Sequence, residues 1–78
     1  MSVTVLYFAS LRDASGVPSE VLAKPASLDA LYEQLRSRYA FPLVREKVRV
    51  AVDGAFCEWT AAVADGAEIA FIPPVSGG

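Results

Sequence analysis

The chain is 78 residues long, enough for one domain, and 54% of it is hydrophobic, with a mean hydropathy of +0.38. Seven Lys and Arg against nine Asp and Glu leave a net charge of −2 with no run of like charges, which argues against a protein held to nucleic acid by charge. The lack of histidine excludes His-based acid–base and nucleophile chemistry and most zinc sites, and a single cysteine, Cys57, excludes an internal disulfide framework.

A domain this small buries roughly 60–65% of the surface of its unfolded chain. Part of the apolar surplus is therefore expected on the surface, as a face for a partner. The apolar stretch Val3 to Leu11 lacks a basic leader and a cleavage site, and no run approaches the ~20 residues of a spanning helix. The expectation is a cytoplasmic protein with no membrane contact.

In chain order, Val3 to Ala9 is β-branched and aromatic and predicts a strand. Arg12 to Pro18 carries turn chemistry punctuated by Gly16 and Pro18, and Ser19 to Lys24 predicts an edge strand that completes a hairpin. Ser27 is a suitable N-cap and Asp29 falls in the first turn, where the helix dipole favours an anion. From there Leu28, Leu31, Leu35 and Tyr39 recur at helical spacing until Phe41-Pro42, which predicts a main helix over about 28–39. Lys47 to Asp53 alternates with Val48, Val50 and Val52 on one face, and Asp53-Gly54 signals a tight hairpin into a brief strand from Phe56 to Trp59. After a turn at Asp65-Gly66, Ala67 to Pro73 predicts the last strand, stopped by Pro73-Pro74, which cannot donate to a ladder.

The order ββαβββ, with one main helix on one face of a mixed sheet of about five strands, describes an α+β roll and suits a ubiquitin-like β-grasp. The expected inward set is Val3, Val5, Tyr7, Val48, Val50, Val52, Ile69 and Phe71, packed on Leu28, Leu31 and Leu35. Adjacency of the first and last strands, side by side and parallel, follows from the likeness in fold and not from periodicity.

Residues 1–74 are read as the β-grasp domain and residues 75–78, Val75-Ser76-Gly77-Gly78, as a pliable tail. The Pro-Pro pair fixes where the tail leaves the sheet, and the two glycines keep side chains away from the terminal carboxylate. A partner protein can then enclose that end in a narrow channel and activate the carboxyl without steric conflict. A frayed terminus without function is the alternative reading of the same residues.

Two blocks carry a resemblance: Val5-Leu6-Tyr7-Phe8-Ala9-Ser10-Leu11-Arg12-Asp13 near the start, and Asp65-Gly66-Ala67-Glu68-Ile69-Ala70-Phe71-Ile72-Pro73-Pro74-Val75-Ser76-Gly77-Gly78 at the end. With them the chain resembles the small, sulfur-carrier subunit of molybdopterin synthase, in the ubiquitin-like sulfur-carrier superfamily. Ser76 stands where a threonine is common in that family and keeps the hydroxyl.

The resemblance implies a cycle centred on Gly78, with Gly77 beside it. A ubiquitin-activating-type adenylyltransferase would use ATP to adenylate the Gly78 carboxylate, and a persulfide sulfur donor would convert it to a thiocarboxylate. The large synthase subunit would then receive the tail, and the sulfur would pass to cyclic pyranopterin monophosphate to build the molybdopterin dithiolene. The implied assembly is a heterotetramer, with one small subunit at each end of a large-subunit dimer. Catalytic side chains would belong to the partners, and no permanently bound cofactor or metal is implied.

Strand alternation puts Leu6 and Phe8 opposite Val5 and Tyr7, and Ala70 and Ile72 likewise on the last strand. If those strands are neighbours, the four side chains form an apolar patch beside the tail exit. This patch, with Arg12, Pro73, Pro74, Val75 and Ser76, is the expected partner-binding set. Cys57 is read as a small hydrophobe, Trp59 as closing an edge of the core, and Glu46 and Lys47 as solvated charges. Other acceptor pathways for the sulfur (thiamine synthesis, tRNA thiolation, cysteine synthesis), a ubiquitin-like protein modifier and a simple binding module remain the competing functions.

Overall fold

The computed structural model describes residues 1–74. Five strands, β1 (Ser2–Tyr7), β2 (Ser19–Ala23), β3 (Arg49–Val52), β4 (Ala55–Cys57) and β5 (Glu68–Ile72), form one sheet in the order β2-β1-β5-β3-β4. β1 and β5 lie parallel at its centre, with Val5 opposite Ile69 and Tyr7 opposite Phe71. The other three pairings are antiparallel, so this is the mixed sheet of the β-grasp expected from the sequence. Residues 75–78, read above as a pliable tail, lie outside the described residues.

The main helix, α2 (Leu28–Tyr39), has the expected bounds because both ends are chemically marked. The Ser27 hydroxyl accepts from the Ala30 amide at 3.3 Å, and the Asp29 carboxylate accepts from the same amide at 3.0 Å, satisfying a free donor of the first turn. At the other end Ala40 takes a left-handed conformation, φ 55°, and the chain turns away.

Leu28, Leu31, Tyr32 and Leu35 of α2 bury against Val3, Val5, Tyr7, Val50, Ile69 and Phe71 of the sheet, joined by Val48. Val52, expected with them, is only half-buried at the end of β3. The centre is aromatic: Phe71 lies edge-on to Tyr32 with ring centroids 5.2 Å apart and stacks on Trp59 at 5.8 Å and 13°. Trp59 thus closes an edge of the core, as expected. Burial of one such ring stabilises the fold by about 1.5–3 kcal/mol. Cys57 packs half-buried against the same core, consistent with a small hydrophobe.

The first connection departs from the expected turn. β1 stops at Tyr7, and α1 (Ala9–Ser15) fills residues read as strand end and loop. Ala9 sits at φ 49°, which breaks the extended run, and the following residues include good helix formers. Leu11, fully buried, anchors the helix to the core. Gly16, read as punctuation, is its left-handed C-cap at φ 79°, with its amide donating to the Arg12 carbonyl at 2.9 Å.

Candidate functional site: the outer face of the sheet and the chain exit

Cross-strand register builds the face opposite α2. Phe56 pairs with Ala51, Ala51 with Ala70, Ala70 with Leu6, and Leu6 with Ser19, so one row crosses all five strands. Four of those five positions are apolar. Beside that row Ile72 pairs with Arg49 at the end of β5. Leu6, Ala70 and Ile72 are half-buried, while Phe8 and Phe56 are 44% and 55% exposed. An apolar band of this kind is a surface that a partner could cover.

Of the residues expected there, Leu6, Ala70 and Ile72 come together on one face. Phe8 no longer belongs to the strand, but its backbone is still extended (φ −129°, ψ 148°) where it leads into α1. Arg12 is exposed on α1, with no acidic side chain paired to it among the described residues. Pro73 is buried and Pro74 exposed, so the first proline is fixed by packing and the second lies at the surface where the chain leaves the sheet. Val75, Ser76, Gly77 and Gly78 lie outside the described residues.

Phe56 and Arg49 were not singled out in the sequence, although a signal existed. Asp53 and Gly54 both have positive φ, 52° and 86°, as a two-residue hairpin turn requires. Such a turn sets Val52 against Ala55 and therefore Ala51 against Phe56, which places Phe56 on the face opposite Val50. Arg49 lies over the Phe56 ring with its guanidinium carbon 3.9 Å from the centroid.

Behind this end of the sheet, on the α2 side, Tyr7 and Tyr39 both donate hydrogen bonds to the Glu20 carboxylate, at 2.8 and 2.5 Å. Burial, and then the bond to Glu20, push the Tyr7 phenol far above its ordinary pKa. The network ties β1, β2 and the end of α2 together where β1 passes into Phe8. Among the described residues no group of three or more His, Cys, Asp or Glu could hold a metal, and no helix is long and apolar enough to cross a membrane.

Residues 5–78 match the model of the ThiS family. The chain belongs to that family. This ThiS-family chain is similar to the molybdopterin synthase sulfur carrier subunit of Haemophilus influenzae, 36% identical over 80 residues, with 97% of this chain and 99% of that protein covered. It is similar in fold to SAMP1 from Haloferax volcanii, with a TM-score of 0.81 and 22% identity over the whole of both chains. It is likewise similar in fold to a chain in the complex of subunits 1 and 2 of the molybdopterin-converting factor from Helicobacter pylori 26695, with a TM-score of 0.72 and 22% identity over the whole of both. Likeness at those two identities concerns the fold alone.

Proposed function

We propose that this ThiS-family chain is a sulfur carrier for molybdenum cofactor synthesis, with its cargo bonded to the carbonyl carbon of Gly78. The carrying observation is the family match running to residue 78, together with full-length similarity to a relative named for that role. The fold supplies what such a carrier needs: a rigid central strand pair ending in Pro73-Pro74, and an apolar face beside that exit.

In this reading the Gly78 carboxylate attacks the α-phosphorus of ATP in the site of an activating enzyme, giving an acyl-adenylate and releasing pyrophosphate. A persulfide then attacks the acyl carbon and AMP leaves; a thiol reduces the resulting acyl disulfide, leaving a thiocarboxylate and an oxidised donor. Sulfur in the thiocarboxylate is softer and less tightly hydrated than carboxylate oxygen, so it is the better nucleophile toward the pterin precursor held by the large subunit. Glycine at 77 and 78 leaves no side chain between the reacting carbon and the walls of either partner's channel. Leu6, Phe8, Ala70, Ile72 and Phe56 form the docking face, with Arg12 and Pro74 at its border, and Val75 and Ser76 follow the exit into the partner. No histidine or metal is required of this chain, since proton transfer and positioning fall to the partners.

Intact mass measured after incubation with ATP, the activating enzyme and a sulfur donor tests the proposal. The expected product has one oxygen replaced by sulfur on residue 78, and it converts the pterin precursor to the dithiolene when mixed with the large subunit. An unchanged mass with active partners overturns the carrier reading. A thiocarboxylate that serves another acceptor system and not the large subunit overturns the pathway alone.

A further inference from the structure

We infer that Arg49 is the charge-recognition residue of the docking face, seating a carboxylate of the large synthase subunit beside the chain exit. The inference rests on the function proposed above and adds the chemistry of the partner.

Arg49 opens β3 and pairs across the ladder with Ile72, the last residue of β5 before Pro73. Its guanidinium lies 3.9 Å from the Phe56 ring centroid, closer than Arg38 over Tyr39 at 5.3 Å or Arg45 over Trp59 at 5.8 Å. A cation–π contact of this kind holds the cation in place and leaves its N–H donors for other partners. The ion pairs among the described residues are Arg36 with Glu33 and Arg45 with Glu46, and neither includes Arg49. Its neighbours on that face are apolar: Ile72 across the ladder, then Ala51, Ala70 and Phe56, with the polar Ser19, Thr4 and Glu68 farther along the sheet.

A cation held in place over a ring, with no ion pair among the described residues and with apolar neighbours, makes covering that face selective. A partner that excludes water without offering an anion strands a buried charge, whereas a carboxylate in register meets it through two parallel hydrogen bonds. Arg49 therefore contributes mainly to choice of partner and speed of encounter, with Phe56 holding it ready. A lysine there would keep the charge but lose the planar fork.

Calorimetric titration of the full-length chain into the large subunit, at low and high salt, reads the effect. Wild type must bind; failure of wild type to bind overturns the proposed function itself. With wild type bound, Arg49→Gln is expected to weaken affinity about tenfold at low salt and to flatten the salt dependence. Wild-type affinity and salt dependence in Arg49→Gln overturn the inference and leave the carrier function standing. Arg49→Lys, treated with a carbodiimide in the complex, is expected to join residue 49 to an Asp or Glu of the large subunit. Adducts mapped only to other lysines overturn the inference, as does an Arg49→Gln effect confined to adenylation by the activating enzyme.

Discussion

The phenol of Tyr7, at the last position of β1, donates a 2.8 Å hydrogen bond to Glu20 on the neighbouring edge strand. Tyr39 at the end of α2 donates to the same carboxylate oxygen, with the Arg38 guanidinium over its ring. One acidic side chain thus gathers three elements at the end of the sheet from which the chain departs. Glu20→Ala leaves the buried Tyr7 hydroxyl without an acceptor, at a cost of about 1–3 kcal/mol. Thermal unfolding should show it as a fall in Tm of roughly 4–8 °C per kcal/mol for a domain of this size. Tyr39→Phe removes one of the two donors and should cost less, about 0.5–1.5 kcal/mol.

Alkaline pH should act through the same phenols. Burial first, and then Glu20, raise the Tyr7 pKa; the bond to Glu20 first, and then burial, raise that of Tyr39; burial raises that of Tyr32. Each therefore holds its proton in the folded state at a pH where the unfolded chain, with tyrosines near about 10, has released it. Their contribution is fully present below about pH 10 and is lost as pH rises beyond it. Urea midpoints should be flat from about pH 8 to 9.5 and drop by about pH 11, with the phenolate absorbance appearing together with unfolding.

Ala40 ends α2 in the left-handed region, where a Cβ is costly and glycine is not. Ala40→Gly should therefore stabilise the domain by roughly 0.5–1 kcal/mol after the added freedom of the unfolded chain is subtracted. Ala30→Gly, exposed in the first turn of the same helix, should instead destabilise by about 0.5–1 kcal/mol. Opposite signs in paired chemical unfolding curves check the assignment.

Phe8 is 44% exposed and follows the end of β1, so its ring lies outside the core and is free to serve the proposed docking face. Phe8→Ala should cost more than about 1 kcal/mol of affinity for the large subunit, with little change in Tm. Unchanged affinity in a calorimetric titration would remove Phe8 from the face.

Deletion of Gly78 should abolish sulfur transfer while leaving the thermal midpoint where it was. Among the described residues the core cluster runs from Val3 to Phe71. Mass spectrometry of the shortened chain after incubation with the activating enzyme should show no sulfur incorporation.

Most of the architecture was legible where local chemistry and periodicity agreed. Ser27, the leucines at helical spacing and the stop before Phe41 gave α2 both of its ends. Asp53-Gly54 gave the β3–β4 turn, and the alternation of Val48, Val50 and Val52 gave the inward face. α1 was hidden because seven residues show barely two turns of periodicity, and its tertiary anchor, Leu11, cannot be told from a strand residue by local pattern. Pairing of β1 with β5 spans more than sixty positions, so only the likeness in fold could supply it. Leu6, Ala70 and Ile72 were placed by alternation alone, whereas Phe56 and Arg49 required the register to be carried from the turn across two strands.

The middle of the sheet is made by β5, the last of the five described strands in chain order. Until Glu68 to Ile72 have been added, the β1–β2 hairpin on one side and the β3–β4 hairpin on the other have no bridge between them. A chain broken off before that point cannot assemble the face on which partners are proposed to dock. The centre of the sheet and that face are therefore completed together, by a single five-residue strand.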